Sequence, residues 1–214
     1  MFRGQSSFPP DIASVRLTRE RYSRMRKPRM LKDGAVYHVV ARANRQELVM
    51  ERAAMKALFI RTLLRARGRY DFRLENFCVL GNHFHLMIRP GPRENLSRIM
   101  QWIMSVYAMA WNRRHRLTGH VWGQRFFSRI VEGLAAFLEV FKYIDENPVK
   151  AGQVPNPRGW RFGAIWRHRS GIPDPFGPRS PVVELLFPEH AKLALAAPHL
   201  ECVYRREGRG WPKS

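Results

Sequence analysis

His83 and His85 stand two positions apart in the run Gly81-Asn82-His83-Phe84-His85-Leu86-Met87-Ile88. Alternate side chains of a strand share a face, so both imidazoles point one way while Phe84, Leu86 and Ile88 point the other. Two neutral imidazoles placed like this can share one metal ion. The pair alone is weak evidence, because eight histidines in 214 residues produce such spacings by chance. Two surface imidazoles beside an apolar strand face would account for it equally well. Further along, Phe137, Val140, Phe141 and Ile144 repeat at the spacing of a buried helical stripe. At about 100° per residue, Tyr143 lies roughly 110° and Asn147 roughly 70° from the centre of that stripe. They form an i, i+4 pair on one helix edge, and a helix packed on the sheet would turn that edge toward the histidines. Pro148 places Asn147 at a helix end or kink, where its amide oxygen can complete a metal site or simply close the helix. Read by itself, Tyr143 is a boundary tyrosine with its ring half buried and its hydroxyl in water.

The elements that must hold these groups can be read from periodicity. Val36-Tyr37-His38-Val39-Val40-Ala41 is a β-branched and aromatic run that predicts a strand. Residues 51–67 carry apolar groups at helical spacing up to Gly68, which stops the helix. Strands are expected from Phe72 to Leu80 and from Phe84 to Arg89, with Gly81-Asn82 as the turn of a hairpin. Leu96, Ile99, Met100, Ile103, Tyr107 and Ala110 mark a second helix with Asn95 as its N-cap. Asn112 to Phe127 reads as a long basic loop with some strand, and a third helix is expected from about Leu134 to Asn147. This order predicts an α+β fold, with helices covering one face of a central, mostly antiparallel sheet. A short helical patch around Glu189–Ala197 is expected to dock back onto the core.

Composition restricts the partners. Lys plus Arg number 38 against 17 Asp plus Glu, a formal charge of +21, with 45% apolar residues. Such a chain folds, and its charge suits a polyanion with many phosphates, although an Arg-rich coding bias would also raise it. No apolar run is long enough to cross a membrane, so the chain is expected in the cytoplasm. Its two cysteines, Cys78 and Cys202, exclude a disulfide framework and a Cys-rich zinc site. Arg113, Arg114, His115 and Arg116, then His120, Trp122 and Arg125, interleave cations with aromatics. Single-strand binders use that combination, Arg gripping phosphates and an indole stacking on a base; core packing under the loop is the competing role for Trp122. The basic N-terminal arm, with Arg24, Arg26, Lys27 and Arg29, suits phosphate contacts more than sequence reading.

These segments together resemble a known family. His83-Phe84-His85 is similar to the HUH motif, two histidines flanking a hydrophobic residue. Tyr143-Ile144-Asp145-Glu146-Asn147-Pro148-Val149-Lys150-Ala151-Gly152 resembles the tyrosine-helix signature of the REP-associated tyrosine transposases, the single-tyrosine, IS200-like HUH transposases of bacteria. Cys78 to His85 matches the usual lead-in, with Gly81 where a proline is more common. Tyr37 to Arg45 resembles the first strand and turn, and Thr118 to Phe126 the basic loop. The resemblance covers roughly Leu31 to Arg167.

The resemblance implies a ferredoxin-like sheet-and-helix fold, with His83, His85 and Asn147 as ligands of a divalent cation, Mg²⁺ or Mn²⁺. It implies Tyr143 as the nucleophile that cuts single-stranded or hairpin DNA and keeps it as a 5′-phosphotyrosine. Asp145 and Glu146 are competing ligands. Arg42, Arg45 and Lys150 join Arg113, Arg114, Arg116, His120, Trp122 and Arg125 as expected DNA contacts. The expected organisation is an arm over residues 1–30, the transposase domain over 31–168 and a Pro/Gly-rich extension over 169–214. The expected partner is DNA at the bacterial nucleoid, bound by a monomer or homodimer, with no membrane and no small-molecule substrate. Two other readings compete: a non-catalytic DNA- or RNA-binding protein on the same fold, and a zinc hydrolase, which lacks a third His or Cys at ligand spacing.

Overall fold

Alternation along the first strand sets the architecture. In β1 (Val36–Arg42), Tyr37, Val39 and Ala41 are buried on one face, and Val36 and His38 on the other. The computed structural model describes residues 31–170, 176 and 180–190. The arm with Arg24, Arg26, Lys27 and Arg29 lies outside them, as does most of the patch expected around Glu189–Ala197.

After β1 come α1 (Ala53–Arg67), β2 (Phe72–Val79), β3 (His83–Pro90), α2 (Leu96–His115), β4 (Phe127–Val131) and α3 (Gly133–Lys150). Two short helices follow, α4 (Ala164–Arg169) and α5 (Pro181–Leu186). The strands form one antiparallel sheet in the order β2-β3-β1-β4. The β2–β3 hairpin turns at Gly81-Asn82 as expected, with Leu80 N–H donating to the His83 carbonyl at 2.9 Å. Asn95 caps α2, its side-chain oxygen accepting from the Ser97 and Arg98 amides at 2.8 and 3.2 Å. Among the described residues no helix is long and apolar enough to cross a membrane.

Three details correct the sequence reading. The sheet is covered on both faces. α1 and α2 pack Phe59, Leu63, Ile99, Ile103 and Tyr107 against Val39, Phe84, Leu86 and Ile88, while α3 lays Phe137, Val140, Phe141 and Ile144 on Val36, Cys78 and Met87. The second face carries enough apolar surface that leaving it in water would forfeit its burial energy. α2 also runs on to His115, so Arg113 and Arg114 lie in its last turn, before Arg116 ends it in the left-handed conformation at φ 56°. α3 continues through Pro148 to Lys150. Pro148 deprives the Ile144 carbonyl of its usual donor, but Ala151 N–H still donates to the Asn147 carbonyl at 2.9 Å, so Asn147 stands inside the helix.

The described part of the C-terminal extension packs on α3. Phe187 stacks on Phe141 with ring centroids 3.9 Å apart.

Candidate functional site

Strand register gathers the histidines. Across β1 and β3, Val40 faces His85, Arg42 faces His83, and His38 faces Met87. His38, His83 and His85 therefore share the sheet face covered by α3, with His38 diagonal to His85. The two rings stack with centroids 5.3 Å apart, and His38 Nε2 lies 3.1 Å from His85 Nδ1. The His83 ring stands edge-on to His85 at 5.1 Å. On its other side, His83 Nδ1 is 2.7 Å from Asn82 Oδ1.

α3 brings Tyr143 and Asn147 over this cluster. The Tyr143 ring stands edge-on to His85 at 5.5 Å and to His38 at 5.9 Å. It remains 41% exposed, open to a ligand from solvent. The rotation of α3 about its axis is held from the opposite side. Asp145, about 200° around the helix from Tyr143, accepts from Asn76 Nδ2 on β2 at 3.0 Å and pairs with His190 Nε2 at 2.8 Å. Asn76 also donates to the Phe141 carbonyl at 3.0 Å. With Asp145 turned toward β2, Tyr143 must face β3 and β1. Asp145 is thus engaged away from the histidines, and Glu146 pairs with Lys150 at 2.9 Å. Neither carboxylate competes as a ligand at the imidazoles. The Lys150 ammonium lies 5.1 Å from the Tyr143 ring centroid.

Asn147 is buried, and its Nδ2 donates to the Tyr143 carbonyl at 2.9 Å. That contact turns Oδ1 toward the imidazoles. Burial first, and the Arg42 guanidinium second, push the His83 pKa down to about 4. Burial, then the neighbouring His83, His38 and Arg42, push His85 down to about 3. The Asn147 carboxamide works against both shifts without completing a hydrogen bond, since His85 Nε2 is buried with no partner. His38 is lowered to about 4 by burial and by Arg129. All three rings are therefore neutral near pH 7, the state in which imidazole nitrogen binds metal.

The donor set fits a divalent cation. His85 Nε2 is a buried polar atom with nothing to bond, and the hydrogen bond at His83 Nδ1 leaves its Nε2 available. Among the described residues no three His, Cys, Asp or Glu side chains group so as to hold a metal ion. A third protein donor at this point would be the Asn147 amide oxygen, which suits Mg²⁺ or Mn²⁺ better than a soft metal. Three uncharged donors would leave coordination positions for water and phosphate oxygens.

Sequence reasoning missed His38 and Asn82. His38 alternates onto the correct face of β1, but only the β1–β3 register shows that it meets His85. Asn82 adjoins His83, but in the sequence it signals only a turn, and its bond to the ring appears once the Gln46 carbonyl orients its amide.

The expected DNA contacts divide. Arg42, Arg45, Arg113, Arg114, Arg116, His120 and Arg125 are exposed. The loop after α2 is pinned beside the histidine end of the sheet. Asn44 N–H donates to the Val121 carbonyl at 2.8 Å and Gly123 N–H to the Arg42 carbonyl at 3.1 Å. A Cβ at Gly123 would stand 3.2 Å from Asn44 Cα and 3.3 Å from the Ala43 carbonyl oxygen, a tight approach that glycine relieves. Trp122 does not serve as an open stacking platform. Its indole N–H donates to the Met104 carbonyl at 2.8 Å, and its ring packs 5.5 Å from both Phe84 and Tyr107. Burying that large apolar ring anchors the loop to the core.

Residues 32–147 match the family model described as "Transposase IS200 like". A solved structure described as the REP-associated tyrosine transposase bound to a REP hairpin is similar, with a TM-score of 0.60 at 18% identity. The match covers 73% of this chain and 92% of that chain, and it shows the same sheet-and-helix fold. A second structure, a candidate transposase from Deinococcus radiodurans R1, matches at 13% identity and a TM-score of 0.39, over 57% of this chain and 97% of that one. No curated protein matches the chain.

Proposed function

Because this chain belongs to the IS200-like transposase family, we propose that it cuts and rejoins single-stranded or hairpin DNA through a covalent 5′-phosphotyrosine at Tyr143. The observation that carries this reading is the meeting of a half-exposed Tyr143 ring with His85 at 5.5 Å, beside a buried imidazole nitrogen that has no partner. His83, His85 and Asn147 are the residues that would hold Mg²⁺ or Mn²⁺. A bound cation would draw charge from a non-bridging phosphate oxygen and orient the phosphate for in-line attack.

The protein groups have separate tasks. Tyr143 Oη, a poor nucleophile while it keeps its phenol proton, forms the new bond to phosphorus. The bond from phosphorus to the 3′ oxygen breaks, and that oxygen takes up a proton as the phenol proton passes to solvent. The anchoring of Asp145 holds Tyr143 over the imidazoles, so attack does not require the helix to turn. The product ester retains the energy of the phosphodiester, and a second 3′-hydroxyl can reverse the step and join strands without ATP.

Arg42, Arg45, Arg113, Arg114, Arg116, His120, Arg125 and Lys150 would track the phosphates beside the site, with residues 1–30 as a further basic arm. In this reading the transposase unit spans residues 31–168, followed by the extension over 169–214. The solved relative bound to a REP hairpin supports hairpin DNA as the substrate class.

The test is incubation with end-labelled single-stranded hairpin DNA and Mn²⁺, followed by a denaturing gel. A shifted protein–DNA band is expected, with mass spectrometry placing the nucleotide on the peptide that contains Tyr143. No adduct with any divalent cation would leave a DNA-binding protein in its place.

A further inference from the structure

We propose that His38 and Asn82 are positioning residues that lock His85 and His83 in the Nδ1–H tautomer, so that both Nε2 lone pairs face one shared cation. The inference rests on the metal reading above and adds the groups that prepare its ligands. A ring nitrogen that binds metal must be free of hydrogen, and the bond made by the other nitrogen decides which one is free.

For His83 the assignment follows from a chain of hydrogen bonds. Asn82 Nδ2 donates to the Gln46 carbonyl at 3.2 Å. The amide is thereby oriented with Oδ1 toward His83 Nδ1, 2.7 Å away. An oxygen acceptor there requires the proton on His83 Nδ1, which leaves Nε2 bare. The Gln46 carbonyl is presented by a turn in which Arg45 and Gln46 both hold left-handed backbone, at φ 49° and 60°. Residues other than glycine adopt that conformation only at a cost, and here it places one acceptor.

For His85 the decision lies between two nitrogens 3.1 Å apart, His38 Nε2 and His85 Nδ1. If His38 donated, the proton of His85 would sit on Nε2, a buried donor that completes no hydrogen bond even with the neighbouring Asn147 carboxamide. Folded proteins avoid such a donor. With His85 donating instead, Nε2 carries a lone pair, which a cation can take. The stacking of the two rings at 5.3 Å and the Tyr143 edge on both fix the plane in which that lone pair points. His38 itself cannot serve as a ligand through Nε2, because that nitrogen faces His85.

The experiment uses the full chain with ¹⁵N-labelled histidine, free of metal for the tautomers, and Mn²⁺ titration by calorimetry for affinity. Wild type should show His83 and His85 protonated at Nδ1. His38→Phe keeps ring volume and removes the acceptor. It should weaken Mn²⁺ binding about 10- to 100-fold, the usual effect of losing an outer hydrogen-bond partner, and shift His85 toward the Nε2–H form. His38→Gln places an amide oxygen near the position of Nε2 and should restore most of the affinity. Asn82→Ala should have the same effect on His83 alone. A His38→Phe protein that melts like wild type, binds Mn²⁺ equally well and keeps His85 protonated at Nδ1 would overturn the inference. Wild-type His85 protonated at Nε2 would overturn it directly. A wild type that binds no Mn²⁺ would sink the metal reading, while the metal-free spectra still decide whether His38 sets the tautomer.

Discussion

Replacing Tyr143 by Phe separates chemistry from stability. The Tyr143 hydroxyl takes no hydrogen bond from the described residues, and 41% of the residue is exposed. The variant keeps the ring and therefore the edge contacts to His38 and His85 and the Lys150 ammonium over its face. The loss is one solvated oxygen, so folding should change by no more than about 0.5 kcal/mol. In a domain of this size that is about 1–2 °C in Tm. The covalent route should vanish, because no other atom of the phenyl ring can attack phosphorus. The assay pairs a thermal melt with the labelled-hairpin gel and a DNA-binding titration of the same preparation. The expected result is unchanged melting and binding with no adduct band. An adduct from Tyr143→Phe would place the nucleophile elsewhere. A fall in Tm beyond about 5 °C would show that the hydroxyl supports the fold, contrary to its solvent-exposed position on α3.

Phe187→Ala should cost about 3–5 kcal/mol, the range for emptying a buried aromatic site, because Phe187 is buried and stacks on Phe141 at 3.9 Å; urea unfolding measures it, and a loss under 1 kcal/mol would mean that the extension does not brace α3. Acid should destabilise the fold early. His38 and His83 are held down to about 4 and His85 to about 3, so the unfolded chain takes up protons first, stability is intact above about pH 6.5 and it falls as pH drops toward 4. Denaturant curves at pH 7.5, 5.5 and 4.5 test this, and a flat profile would contradict the burial of the three rings. Affinity for single-stranded DNA should fall with salt at a log–log slope of about −0.7 per phosphate contacted. Arg113→Ala or Arg114→Ala should each flatten the slope by about that amount, and an unchanged slope would remove that residue from the interface.

Much of the site is legible in the chain because its geometry is local. A strand repeats every two residues and a helix every 3.6, so His83 and His85 share a face and Tyr143 and Asn147 share an edge wherever those elements form. The Asn95 cap and the Gly81-Asn82 turn are legible for the same reason, since their hydrogen bonds close within a few residues. Backbone sterics near Pro148 suggested a helix end, but the burial of Phe141, Ile144 and Asn147 against the sheet carries α3 past it.

The remainder depended on contacts between distant segments. His38 and His85 lie 47 positions apart, and a one-residue slip of β1 against β3 would turn His38 to the opposite face. Trp122 stands among cations in the sequence, yet the space beside Phe59, Phe84 and Tyr107 draws its indole inward. The second helical layer and the rotation of α3 follow from apolar surface on the far face of the sheet and from the hold of Asn76 and His190 on Asp145. Residue type and spacing thus determined which groups could do the chemistry. Strand register and helix rotation, set by burial and hydrogen bonds across the fold, decided which of them meet.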